Sequence, residues 1–372
     1  MDTTDRLLGY LKEADGRFVS GQVLSGALGM SRAAVSKHVR KLRVEGYGIE
    51  SATKKGYRLT AITPRLIPRE IEAVLETKVF GRPGIVHFDR TDSTNWRAKG
   101  LAVQDGAEGT LVVAEEQLAG RGRKQRSWFS PAGMGIYASL ILRPAISPSG
   151  APRMTLMTAV AAAEALIRAT DLPVRIKWPN DLLVGGKKIG GILTEISTEM
   201  DAIEYVIIGL GINVNTSRES FPPELLPIAT SVRIESGRDF SRSDILAQYL
   251  ARLEQGYEMI NAGRFDRIIS RWKALSHMVG QRLIVEELDE RYTGRVEDVE
   301  DTGVLLVRDD TGRLHRVYSA DITLVGGAHL TAKAEEISRR HTQTDADDSA
   351  DKPVGTKGAV PFGQKGKYSP KK

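Results

Sequence analysis

Lys177-Trp178-Pro179-Asn180-Asp181, continuing through Gly185-Gly186 to Lys187-Lys188-Ile189-Gly190-Gly191, reads as a strand, a forced turn and a hairpin. A strand that ends in Trp-Pro cannot run on as a central ladder member, because proline has no amide hydrogen to give. The backbone turns there and presents Asn180 and Asp181. Gly185-Gly186 suits a hairpin tip, after which Lys187 and Lys188 must face opposite sides by the period of two. Only one of them can share a site with Asp181. Taken alone, the same residues also fit a turn capped by Asp181 with both lysines in water.

Upstream, Gly120-Arg121-Gly122-Arg123 runs on to Arg126 and Trp128. Glycines let a backbone come close to a ligand, and guanidinium forks suit phosphate or carboxylate oxygens. Three cations on one loop repel one another unless an anion joins them. The segment lacks the third glycine and helical continuation of a dinucleotide fingerprint, so a Rossmann reading is poor. By itself it fits a solvent-facing basic loop or a nucleic-acid patch equally well. With the hairpin it suggests anionic phosphate chemistry beside an amine.

Working outward, 372 residues at 41% hydrophobic content are enough for two or three domains with a buried core. The chain has no cysteine, which excludes disulfides, thiolate metal sites and cysteine nucleophiles and fits a reducing, cytoplasmic setting. The acidic start at Asp2 and Asp5 is unlike a secretory signal, and the most apolar stretch, Met154 to Ile167, is too short for a bilayer and is broken by Glu164. No membrane association is expected. Short β-rich runs are predicted at 110–114, 135–142, 174–178, 189–196 and 205–214, with a helix over 152–170 and a helical block over 243–276. Four more runs between 282 and 317 read as a small antiparallel barrel. The pattern is α+β. Boundaries are expected at 1–63, 64–276, 277–326 and 327–372, the last segment being too poor in large apolar side chains to order itself.

The formal charge of +6 is uneven, since residues 1–62 hold 11 basic and 6 acidic side chains. That excess suits a polyanionic partner. Ser20 and Ser31 stand where helix N-caps would be, Gly29-Met30 supplies a turn, and Val35, Val39 and Leu42 share one helical face. Ser31, Arg32, Ser36, Lys37 and Arg40 then belong to a recognition surface, and Lys54-Lys55 to the tip of a basic wing. The bland alternative is an ordinary charged surface helix.

These segments together resemble the biotin protein ligases, in particular the bifunctional kind that also represses the biotin operon. The resemblance adds Asp92-Ser93-Thr94-Asn95, Glu116-Gln117-Leu118-Ala119, Trp128-Phe129-Ser130-Pro131 and Gly209-Leu210-Gly211-Ile212-Asn213 to those already quoted, and covers nearly all of residues 1–325. It implies a winged helix, a central mixed sheet related to class II synthetases, an SH3-like C-terminal barrel and a disordered tail. The implied reaction joins biotin and ATP as biotinyl-5'-AMP, then moves biotin to a lysine of the biotin carboxyl carrier protein. Operator DNA and a ligand-promoted homodimer are implied partners, and Mg2+ is implied by ATP, with no metal-ligand cluster in the sequence.

By the same resemblance, Ser93, Thr94, Asn95, Gln117, Arg121, Gly122, Arg123 and Lys188 would hold biotin. Gly120, Arg123, Arg126, Trp128, Asn180 and Asn213 would hold the nucleotide, and Lys188, Arg121, Arg123 and Asp181 would serve the chemistry. The arginine loop is expected to order only when an anion arrives. Two positions depart from the family pattern: Gln125 stands where a glycine is common, and Val325 where an arginine can approach the nucleotide. Competing readings are a lipoate or octanoate transferase of the same broad fold and a ligand-sensing transcription factor without ligase activity.

Overall fold

The computed structural model describes residues 2–199, 202–287 and 289–325. The chain opens with α1 (Thr3–Glu13), α2 (Gly21–Leu28), α3 (Arg32–Val44) and a hairpin of β1 (Gly48–Ala52) and β2 (Gly56–Ala61). Ser20 Oγ accepts from the Val23 amide at 3.1 Å and Ser31 Oγ from the Ala34 amide at 3.2 Å. Each cap stabilises its helix by about 1 kcal/mol. Gly29, at φ 66°, ends α2 in the left-handed conformation that glycine favours. Val35, Val39 and Leu42 pack with Leu7, Leu11 and Leu24 in a core of their own. Away from it, Ser31, Arg32, Lys37 and Arg40 are exposed, Ser36 is half-buried, and Lys54 and Lys55 stand out at the hairpin tip. The expected winged helix-turn-helix is therefore what these residues build.

A short helix, α4 (Pro68–Glu72), leads out of this unit. The sequence places a domain boundary just before it, and the segment is a packed strut. Ile67 belongs to the winged-helix core, while Leu66 and Ile71 belong to the large core. Arg69 pairs with Asp5 and Glu45, and Glu70 with Lys12 and the Tyr47 hydroxyl.

The body contains β3 (Ile85–Phe88), α5 (Thr94–Ala102), β4 (Leu111–Ala114), β5 (Gly135–Leu142), α6 (Ala151–Thr170), β6 (Arg175–Lys177), β7 (Asp181–Val184), β8 (Lys187–Glu199) and β9 (Ala202–Asn213). α7 (Val232–Ser236), α8 (Arg242–Asn261) and α9 (Phe265–Ser276) follow. The strands form one seven-stranded mixed sheet, ordered β3-β4-β5-β9-β8-β7-β6, in which only β3 and β4 are parallel. The period of two divides its faces. Ile136, Ala138, Leu140, Val206, Ile208, Leu210 and Ile212 pack with α6, α8 and α9 in the large core. On the other face, Val112, Ile141 and Ile207 are covered by Ala98 and Ala102 of α5. Helix α5 is nine residues long, so it covers only part of that face. The helical block read over 243–276 is two helices, parted at Gly263, whose φ of 70° interrupts helical geometry.

β10 (Arg282–Glu286), β11 (Arg291–Val299), β12 (Leu305–Asp309), β13 (Leu314–Val317) and β14 (Asp321–Leu324) form a separate antiparallel sheet ordered β13-β12-β11-β10-β14. It occupies the place of the expected SH3-like unit. The tail expected to be disordered, 327–372, lies outside the described residues.

One buried ion pair ties these parts together. Arg242 of α8 is 1% exposed and donates to Glu115 Oε2 at 2.8 Å, to the Pro64 carbonyl at 2.7 Å and to the Gly135 carbonyl at 2.9 Å. The other Glu115 oxygen accepts from the Leu66 amide at 2.6 Å. Burial would raise the Glu115 carboxyl, but His87, Arg242 and the Leu66 amide outweigh it and hold it down at about 2, against an ordinary 4.5. Glu115→Gln strands a buried guanidinium and is expected to cost about 3 kcal/mol of unfolding free energy at neutral pH, measured by urea denaturation. A depressed folded pKa means the stabilisation is present above pH 4.5 and fades as pH falls towards 2. The parent should lose stability across that window, and the variant should lack this component.

Candidate active site

The part of the sheet that α5 leaves bare is floored by glycine. Gly191, Gly209 and Gly211 alternate on that face with the buried residues of the other. A Cβ on Gly211 would lie 2.6 Å from the Trp128 indole, one on Gly191 would lie 3.2 Å from Lys188, and one on Gly209 would collide with the Asn95 carboxamide. Their absence opens a cavity of about 590 Å3.

At one end of this cavity lies a cluster of hydroxyls and carboxamides. Gln117 Oε1 accepts from the Thr94 amide at 2.8 Å and from Thr94 Oγ1 at 3.1 Å, while its Nε2 donates to Ser130 Oγ at 3.0 Å. Ser139 Oγ lies 2.8 Å from Thr94 Oγ1 and 2.6 Å from Asn95 Oδ1. Asn95 Nδ2 donates to Glu195 Oε2 at 2.7 Å. Ser93 precedes α5 but makes no side-chain cap. A small, neutral, hydrogen-bonding head would find both donors and acceptors here. Sequence reasoning missed Ser130, Ser139 and Glu195. Ser139 had a legible signal, being the one small polar side chain among the apolar and aromatic residues of β5.

The other end is cationic. Lys188 Nζ pairs with Asp181 Oδ1 at 2.6 Å and stands 5.3 Å from the Trp128 ring centroid. Lys187 turns away and donates to the Leu226 carbonyl at 3.1 Å, as the hairpin period requires. The Lys188 backbone is gripped on both sides, its amide donating to Ile228 and its carbonyl accepting from Thr230. That apolar segment, with Phe221 and Leu225, forms a wall the sequence did not reveal. Asn180 and Asn213 reach the cavity, but their amide nitrogens are committed to the carbonyls of Ile192 and Thr230. Gly120, expected beside the nucleotide, is absent from the wall. A Cβ there would sit 2.7 Å from the Trp128 carbonyl, so glycine serves the closure of the loop instead.

The arginine loop forms a strap, closed by Gly122 N to the Arg126 carbonyl at 2.7 Å and Trp128 N to the Gly120 carbonyl at 2.8 Å. Its cations already have partners on the C-terminal sheet. Lys124 and Arg126 pair with Asp321 at 2.8 and 2.7 Å, and Arg123 donates to Ser319 Oγ at 2.7 Å. Burial lowers the Arg123 pKa; Asp321 is held below the usual carboxylate range because Lys124 and Arg126 outweigh its own burial. Arg121 remains exposed. The C-terminal contribution is thus Asp321, while Val325 is exposed, donating its amide to the Arg282 carbonyl. Gln125 has a φ of 62°, in the left-handed region where glycine is unstrained.

Three family models match the chain in order: an HTH domain over 3–58, the biotin/lipoate A/B protein ligase family over 87–213, and the biotin protein ligase C-terminal domain over 279–325. The bifunctional ligase/repressor BirA of Bacillus subtilis is 41% identical over 318 residues, 86% of this chain and 97% of that protein. The chain belongs to the bifunctional biotin protein ligases. The Escherichia coli ligase/repressor is 29% identical over 80% of this chain and 90% of its own. A solved biotin protein ligase from Aquifex aeolicus, in complex with biotin and ATP, superposes with a TM-score of 0.56 at 27% identity, covering 65% of this chain and 98% of that one. Among the described residues no helix of the ligase is long and apolar enough to cross a membrane.

Because partly exposed ion pairs each contribute about 1 kcal/mol or less, Asp321→Ala should open the ligand-free strap roughly fivefold more often. Limited trypsin cleavage after Arg123, Lys124 or Arg126 should speed up accordingly, and added adenylate should suppress it.

Proposed function

We propose that the ligase works in two steps within this one cavity. The biotin carboxylate attacks the α-phosphorus of ATP, the bond to the β-phosphate oxygen breaks, and pyrophosphate leaves. The ε-amine of a lysine on the biotin carboxyl carrier protein then attacks the acyl carbon and AMP departs. What carries the reading is the pairing of a neutral hydrogen-bonding end with a cationic end, Lys188 standing between them.

In this reading Ser93, Thr94, Asn95 and Gln117 bind the biotin head, and Arg121, Gly122 and Arg123 close over carboxylate and phosphate. Arg126, Asn180 and Asn213 belong to the nucleotide side, and Trp128 covers the adenylate. Lys188 bridges the carboxylate and α-phosphate and stabilises charge as it develops. Asp181, held in place by Lys188, takes a proton from the incoming amine. Mg2+ arrives with the nucleotide phosphates; among the described residues no group of three His, Cys, Asp or Glu is placed to hold a metal ion. Exposed Arg32, Lys37, Arg40, Lys54 and Lys55, with Ser31 and Ser36, contact operator DNA as a ligand-promoted homodimer in the cytoplasm.

The deciding experiment incubates the protein with ATP, biotin and an apo carrier domain. Biotinylated carrier supports the ligase, transfer of lipoate instead supports a lipoyl-type transferase, and no transfer leaves a ligand sensor. Lys188→Ala should slow biotin-dependent pyrophosphate release about 100-fold or more without unfolding the protein. For the DNA surface, Lys54→Ala should weaken operator binding evenly across sequences and reduce the salt slope by about one unit, read by titrations at several salt concentrations.

A further inference from the structure

Lys177 has no role in the steps above, yet it lines the cavity wall half-buried at the end of β6, opposite Asp181 in the strand register. Asp181 is already paired with Lys188, and Lys177 makes no ion pair or side-chain hydrogen bond among the described residues. Asp181, Lys188, Asp321 and Arg126 line the same cavity, and burial pushes the Lys177 ammonium pKa down. A half-buried cation without a partner is costly unless an anion arrives to meet it.

Resting on the two-step reading, we propose that Lys177 holds the departing pyrophosphate, receiving the charge that appears on the β-phosphate oxygen as its bond to the α-phosphorus breaks. Three positions favour this over a second carboxylate contact. Lys188 stands between Asp181 and the Trp128 ring, where carboxylate and α-phosphate meet. Arg126 and Lys124 are engaged by Asp321 on the far side. Lys177 lines the same cavity as Lys188, Arg126 and Asp321, so a triphosphate lying there meets its ammonium. The ammonium acts as a point charge, and its proton stays on nitrogen throughout.

The test separates the two half-reactions in the full-length protein. Lys177→Met is expected to reduce kcat/KM for ATP in biotin-dependent pyrophosphate–ATP exchange roughly 10- to 100-fold, the usual worth of a bond to a charged group. Its KM for pyrophosphate in the reverse direction should rise. Transfer of biotin from supplied biotinyl-5'-AMP to the apo carrier domain should stay within about twofold of the parent, which also shows that the variant is folded. Unchanged exchange overturns the assignment, and so does an equal loss in both half-reactions, which would mark Lys177 as a structural support or a partner of the carrier lysine. A parent protein that transfers supplied adenylate but shows no exchange with ATP overturns the two-step reading itself.

Discussion

Everything at the site rests on a steric constraint: one face of a seven-stranded sheet is packed by helices, and the other carries glycine at three positions of β8 and β9 beyond α5. On the packed face, large apolar residues at alternate positions anchor the strands, each fully buried Leu or Ile contributing about 1.5 to 3 kcal/mol. On the bare face the same strands carry Ser139, Gly191, Gly209 and Gly211. The stability of the sheet therefore does not depend on filling the cavity. Asn95, Trp128 and Lys188 can lie directly against the backbone because nothing projects from it.

The electrostatics follow from that vacancy. Three of the cations gathered over this floor, Lys124, Arg126 and Lys188, draw counter-charge from two carboxylates, Asp181 from the hairpin and Asp321 from the C-terminal sheet. An incoming anion thus exchanges one set of partners for another. Such an exchange keeps the net cost of each step small. It also makes the C-terminal sheet part of the active site, although it supplies no arginine at Val325.

Much of this was legible in the sequence where chemistry is local. The caps at Ser20 and Ser31, the turn at Gly29 and the opposed Lys187 and Lys188 follow from backbone rules that act within a few residues. What sequence could not give depended on contacts between distant segments. Asp321 meets Arg126 across 195 positions, and Arg242 meets Glu115 across 127. The strap's contacts to Ser319 and Asp321 are invisible in the sequence because those partners lie far along the chain. Gly120 was assigned to the ligand because a glycine needed for ligand approach and one needed for loop closure look the same in sequence. Asn180 and Asn213 show the same ambiguity, since their carboxamides also hold turns.

The strut formed by α4 has a consequence for how the protein would read DNA. Leu66 and Ile71 sit in one core and Ile67 in the other, with Arg242 and Glu115 locked onto the intervening backbone. This packing fixes the reading head against the body in the structure. If two copies pair through their bodies, the distance between their recognition helices becomes a fixed gauge, and half-sites must match it on the correct side of the duplex. Vitamin supply would then govern whether the gauge is assembled, while its span would be written into the packing between head and body.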